Sequence, residues 1–178
     1  MPRQSFTLVR YPAPGPHRNL MLGGTAGRDG DDLVVRWSLR GDVDAIAVPA
    51  PAAGPARRDA LWTDTCFEVF AARLGDPGYW ELNLAPSGDW NVYRFAGYRQ
   101  QMRPEAAAAA LGCAVAQNSR ALTVQLRCPL AGFAVDGALE LGVGVVLRSP
   151  TGALSHWALA HAPGRPDFHW RPGFKLRI

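Results

Sequence analysis

Apolar and polar residues alternate with a period of two along most of this chain, in short blocks separated by Gly, Pro, Asp and Asn. Period two sends successive side chains to opposite sides of an extended backbone, so the pattern predicts strands with one face in a core and speaks against helical bundles. The pattern is clearest from Arg120 to Arg127, where Leu122, Val124 and Leu126 alternate with Thr123, Gln125 and Arg127. It recurs from Ala138 to Arg148, where Leu139, Leu141, Val143, Val145 and Leu147 share a face. Further strands are expected at Ser5–Arg10, Asp32–Leu39, Ala45–Val48, Thr65–Ala72, Tyr79–Ala85, Trp90–Phe95, His156–His161 and Phe174–Ile178. Gly23-Gly24, Asp29-Gly30-Asp31, Gly75-Asp76-Pro77-Gly78 and Pro86-Ser87-Gly88-Asp89 read as turns, and Pro49 to Pro55 as a surface loop. Pro104-Glu105 followed by five alanines has the propensity of one short helix over Glu105–Leu111. Many short strands between Gly- and Pro-rich turns predict an all-β antiparallel fold, a β-sandwich or a barrel.

At 178 residues with no internal repeat and no shift in composition, the chain is expected to form a single domain over residues 1–178. Hydrophobic residues at 48% against 19% charged exclude an intrinsically disordered chain. No apolar run reaches the ~18 residues of a membrane helix, and Met1-Pro2-Arg3-Gln4-Ser5 does not open a signal-peptide core, so a cytoplasmic protein without a membrane partner is expected. The net charge of +4 is spread along the chain, with Arg57-Arg58 the one adjacent cationic pair, which predicts no nucleic-acid partner. Cys66, Cys113 and Cys128 contain no CxxC pair and read as reduced thiols.

Glutamate occurs only at Glu68, Glu81, Glu105 and Glu140, and two of the four fall in the most apolar hairpin. From Leu61 to Phe70, period-two geometry places Trp62, Asp64, Cys66, Glu68 and Phe70 on one face. Tyr79, Glu81 and Asn83 share a face of the next strand, so pairing lays Glu68 beside Glu81 and Asn83, and Arg94 on the third strand is expected to bring a cation next to them. Taken singly, each reads as an ordinary strand residue or a surface pair worth under ~1 kcal/mol. Together, aromatic, carboxylate and amide groups are the chemistry of polyol recognition, in which CH faces stack on tryptophan and hydroxyls bond to charged or amide partners. The same pair of carboxyls raises glycoside hydrolysis, but no spacing selects it, and no catalytic residue is expected.

Three of the four histidines, His156, His161 and His169, lie in the C-terminal quarter without the spacing of a zinc site, so no metal is expected. Ser155, His161 and Asp167 supply the residue types of a hydrolytic triad, yet no nucleophile elbow surrounds the serine. A loop at Pro163-Gly164-Arg165-Pro166-Asp167 that folds back, with His161 or His169 capping backbone groups, is the simpler reading. Trp157 and Trp170 are candidates for one end of a groove.

The segments Leu61-Trp62-Thr63-Asp64-Thr65-Cys66-Phe67-Glu68-Val69-Phe70 and Tyr79-Trp80-Glu81-Leu82-Asn83-Leu84-Ala85-Pro86-Ser87-Gly88 resemble the Trp-x-Asp-x-x-x-Glu-x-Phe and Tyr-x-x-x-Asn-x-x-x-x-Gly signature of DOMON-like domains. They are similar to the family-nine carbohydrate-binding modules of that superfamily, and Trp157–His161 with Gly164–His169 resembles an intracellular bacterial branch of it. The resemblance implies an immunoglobulin-like (jelly-roll-like) β-sandwich that binds sugar or haem in a groove on one sheet. It further implies a non-catalytic binding domain in which Trp62 stacks on a sugar ring, Glu68, Glu81 and Asn83 contact hydroxyls, and Trp157 or Trp170 supplies a second aromatic. No cofactor is the leading expectation. Haem is the alternative, with Met21, Met102, His161 and Lys175 as the residues able to ligate iron. A third possibility is an interaction module that docks a partner chain on an exposed strand edge.

Overall fold

A computed structural model describes residues 3–133, 135 and 137–178; Met1 and Pro2 of the opening segment lie outside the described residues. Among the described residues twelve strands follow one another: β1 (Gln4–Arg10), β2 (Leu20–Asp29), β3 (Asp32–Gly41), β4 (Cys66–Arg73), β5 (Tyr79–Leu84), β6 (Trp90–Phe95), β7 (Arg103–Pro104), β8 (Gly112–Asn118), β9 (Ala121–Pro129), β10 (Leu139–Arg148), β11 (Leu154–Ala158) and β12 (Leu176–Arg177). Strand takes 49% of the chain and helix 7%, the latter in three-residue 3-10 turns, so the fold is all-β as the alternation predicts.

The strands pair antiparallel in the order β7-β6-β5-β4-β10-β11-β1-β2-β3-β9-β8, with β12 added to β10. The sheet curls on itself at β1, whose first half pairs with β2 and whose last residues Val9 and Arg10 pair with Ala158 and Trp157 of β11. The two halves therefore face each other as a sandwich. Leu22, Val35, Trp37, Leu39, Leu122, Val124 and Leu126 of one half meet Phe67, Val69, Leu82, Leu84, Val92, Leu141, Val143 and Val145 of the other in the main core. The Trp37 and Phe67 rings cross between the halves edge to face, 5.3 Å apart.

The outer face of β4, β5 and β6 carries a second apolar cluster of Phe70, Ala72, Tyr79, Tyr93 and Phe95, completed by Phe174, with Phe168 packed against it. The chain from Pro166 to Phe174 crosses this face as a strap. Its seat is built into β10: a Cβ on Gly142 would strike the Phe174 ring and one on Gly144 the Phe168 ring, so both rings lie directly on the backbone.

Several local expectations are corrected by tertiary contacts. Gly23-Gly24 is the middle of β2, not a turn, because a Cβ on Gly24 would meet the Arg36 carbonyl and the Phe6 ring. Residues 45–48 form no strand; a 3-10 turn at Val43–Ala45 precedes an irregular segment. No helix forms over 105–111: the Ala108 amide closes a single turn onto the Glu105 carbonyl at 3.3 Å, Arg57 Nη2 donates to the Glu105 and Ala108 carbonyls, and Ala108 and Leu111 are buried in the core. The strand expected at His156–His161 is β11, which begins earlier and ends at Ala158.

Candidate functional site

Strand pairing sets the floor of the site. Glu68 on β4 lies opposite Asn83 on β5, and Phe70 opposite Glu81, so Glu81 is the diagonal neighbour of Glu68 on the outer face. Both carboxyls are nearly inaccessible, Glu68 at 3% and Glu81 at 4% exposure. Asn83 Nδ2 donates to Glu81 Oε1 at 2.8 Å, while Glu68 Oε1 and Asn83 Oδ1 are buried without a hydrogen-bond partner. Burial pushes the Glu68 carboxyl well above the usual carboxylate range, with repulsion from Glu81 adding to it. Burial likewise raises Glu81, to about 7, against the lowering effects of Asn83 and Arg99.

One wall comes from the strap. His169 Nδ1 is 2.8 Å from the Tyr79 hydroxyl, which accepts the Arg99 amide at 3.1 Å. The other ring nitrogen, Nε2, lies 3.6 Å from Glu81 Oε2. Burial, together with the Arg99 charge, depresses the His169 pKa to about 4, which keeps the ring neutral at pH 7. Asp167, itself 5% exposed, accepts from Arg99 Nη2 at 2.9 Å, from the Tyr98 hydroxyl at 2.5 Å and from the His169 amide at 3.1 Å. Arg99 sits at φ 53° and Gln101 at φ 51°, left-handed positions in the tight loop after β6 that presents the guanidinium to the site.

The opposite wall is Trp62. It stands on a 3-10 turn (Leu61–Thr63) entered through Ala60 at φ 59°, with Thr63 Oγ1 donating to the Ala60 carbonyl at 2.7 Å. The indole meets the Tyr93 ring edge-on at 5.8 Å, and the Tyr93 hydroxyl donates to Asp59 at 2.8 Å, tying the loop to the sheet. Trp62 remains 36% exposed at the rim. Between the walls lies a cavity of about 330 Å³, lined by Trp62, Glu68, Glu81, Phe95, Arg99, Met102, Val146, His156, Pro166, Phe168 and His169. Its volume lies at the lower end of small-molecule sites.

The residues expected from sequence thus divide. Trp62, Glu68, Glu81 and Asn83 come together. Asp64 turns away to bond Arg148 Nη1 at 2.9 Å and the Thr65 amide. Arg94 is not beside the carboxyls: it lies over the Trp80 ring at 4.0 Å and near Asp76 at 3.6 Å, because position 94 pairs with Trp80 and faces away from Glu81. Trp157 belongs to the main core, its Nε1 donating to Ser155 Oγ, and Trp170 lines a separate crevice with Phe70 and Gly142. Phe95 and Phe168 are the second and third aromatic rings of the cavity instead. Arg99, His156 and His169 were not singled out as binding residues; the signal for Arg99 was its place in a glycine-containing loop at a strand end.

No triad forms. Ser155 Oγ bonds the buried His17 Nδ1 at 2.8 Å, Asp167 is occupied as described, and His161 Nε2 donates to the Val9 carbonyl at 2.8 Å, the backbone cap expected for it. Among the described residues no group of three His, Cys, Asp or Glu side chains is arranged to hold a metal ion, and all three cysteines are free thiols. No helix of the described residues is long and apolar enough to cross a membrane.

No family model matches the chain, and no curated protein matches it in sequence. Solved structures do match in fold. A Bacteroides uniformis protein proposed to bind carbohydrate superposes with a TM-score of 0.65 at 14% identity, over 96% of this chain and 84% of that one. A family-nine carbohydrate-binding module from Caldicellulosiruptor kristjanssonii matches in its cellotriose complex at TM-score 0.53, 12% identity, 91% of this chain and 75% of that one. Its glucose complex gives 0.52 and 12% over 92% and 78%. This chain is similar to all three in fold, which is that of carbohydrate-binding modules.

Proposed function

We propose that this chain is a non-catalytic domain that binds a saccharide or sugar-derived metabolite in the cavity between Trp62 and the strap. The observation that carries the reading is the buried, unpartnered Glu68 Oε1 in a cavity walled by Trp62, Phe95 and Phe168. A buried acceptor without a partner is costly, and a ligand hydroxyl donated to it removes that cost while an aromatic wall takes the CH face of the ring. The likeness in fold to carbohydrate-binding modules supports the same reading, as does the resemblance of the Trp62–Phe70 and Tyr79–Gly88 segments to DOMON-like domains.

The non-catalytic part rests on placement. Glycoside hydrolysis needs carboxyls on both sides of the scissile bond, whereas Glu68 and Glu81 are diagonal neighbours on one floor. The domain is further proposed to work without haem: Met102 lines the cavity, but Met21 stands on β2 in the other half of the sandwich, His161 is engaged with Val9, and Lys175 is an exposed residue of the C-terminal segment. Haem propionates would also meet Glu68 and Glu81.

Calorimetric titration with a panel of mono- and disaccharides tests the reading. Binding is expected to be weak, since few hydroxyl contacts gain over those made to water. Trp62→Ala and Glu68→Gln are each expected to weaken it several-fold. Absence of binding by every saccharide at millimolar concentration, or glycoside turnover abolished by Glu81→Gln, would overturn it.

A further inference from the structure

Building on the saccharide reading, we infer that the ligand carries a protonated amine beside its hydroxyls, as an amino sugar does, held between the carboxyl groups of Glu68 and Glu81 and the aromatic wall of the cavity.

The titratable and charged groups around the two carboxyls are Arg99 from the loop after β6, Tyr79 from β5, Tyr93 from β6, whose hydroxyl burial and Asp59 keep neutral, Cys66 at the start of β4, His156 from β11, and Asp167 and His169 from the strap. The one cation among them, Arg99, forms an ion pair with Asp167, which leaves the pair neutral. Burial keeps His169 neutral and lowers His156, whose neighbour His161 lowers it further. Tyr79 is raised to about 12 and the Cys66 thiol is also raised by burial, so neither contributes charge near pH 7. Arg99 still lowers both carboxyls from across the cavity, but neither Glu68 nor Glu81 forms a direct ion pair with an arginine or lysine among the described residues. Their direct hydrogen-bond donor among the described side chains is Asn83 Nδ2, which serves Glu81 alone. Glu68 Oε1 has none.

Neutral hydroxyls would satisfy the geometry of this floor and leave its charge uncompensated when the carboxyls ionise. An ammonium group does both: it donates up to three hydrogen bonds, each strengthened by charge, to acceptors that lie side by side. Trp62, Phe95 and Phe168 add ring faces and edges around the same space, which favour a cation where water is excluded. The raised carboxyl pKa values give the consequence. The empty site holds protons at neutral pH, and an arriving ammonium displaces them, so binding releases protons and strengthens as pH rises through the range where Glu81 ionises.

Titration calorimetry of the full chain with glucosamine, glucose and N-acetylglucosamine, in two buffers of different ionisation enthalpy, tests this. Glucosamine is expected to bind about tenfold or more tightly than glucose, a difference set by one compensated charge, and N-acetylglucosamine no better than glucose. Glucosamine affinity is expected to rise about tenfold between about pH 5.5 and about pH 7, where the amine stays charged, with net proton release. Glu81→Gln is expected to abolish most of the release and to bring glucosamine close to glucose. Equal binding of glucose and glucosamine without proton release overturns the amine and leaves the saccharide site standing. Failure of both sugars overturns the saccharide site, and the amine with it.

Discussion

The inner and outer faces of β4 and β5 are buried to the same degree and built for opposite purposes. Inward, Phe67, Val69, Trp80, Leu82 and Leu84 pack against the facing half of the sandwich with no ionisable group among them. Outward, Glu68, Phe70, Tyr79, Glu81 and Asn83 are as inaccessible, yet what covers them is the irregular strap from Pro166 to Phe174 with the Trp62 turn and the Arg99 loop. Sheet-on-sheet packing fills the first interface with interdigitated side chains. A strap held by point contacts, such as His169 to Tyr79 and Arg99 to Asp167, covers the second and leaves room for a guest. Burial alone does not distinguish core from site; the regularity of the covering element does.

Phe67→Ala should cost about 3–5 kcal/mol in urea denaturation, because the rigid facing sheet cannot close over the void. A loss below about 1 kcal/mol would mean that the inner face is no better packed than the outer. Next in size is Gly144→Ala, whose Cβ would push the Phe168 ring off the backbone. A loss of about 1–3 kcal/mol is expected, with faster amide exchange across the strap than in β3 or β9; equal exchange would show that the strap is as rigid as the core.

The outer face should also reveal itself through pH. A carboxyl whose pKa is raised on folding binds more protons in the native state, so its protonation stabilises the fold at low pH and that stability is lost as pH rises through the native value. With Glu81 at about 7, Glu68 raised in the same direction and the lowered histidines already neutral, the ligand-free protein should lose roughly 1 kcal/mol or more of stability between about pH 6.5 and about pH 8. Thermal unfolding across that window should flatten in Glu68→Gln and Glu81→Gln; a flat profile in the natural chain would show that water reaches the floor. Smallest is Trp62→Ala, expected to change stability by less than about 1 kcal/mol because the indole is a rim residue in edge contact with Tyr93.

Periodicity placed the strands around the site correctly, including which of Phe67, Glu68, Val69 and Phe70 face which way, because alternation is a property of the extended backbone itself. It also paired Glu68 with the Asn83 and Glu81 side of β5, since a short turn between two strands leaves few registers. It failed where a local signal was answered from a distance. The alanine-rich segment lost its helix to Arg57, and Gly23-Gly24 was taken into β2 by Phe6 and Arg36. Trp157 and Trp170 are not the aromatic partners of Trp62 for the same reason: nothing in a tryptophan says which side of a curled sheet it faces.

The order of apolar and polar residues was thus enough to determine an all-β antiparallel fold and a strand face on which two of only four glutamates meet an asparagine. That those glutamates are buried and border a cavity, with Arg99 near them but paired to Asp167, was decided by the strap and by the Arg99 loop. These segments reach the floor from up to about a hundred residues away in sequence, and desolvation depends on what lies over a side chain in space, not on its neighbours along the chain.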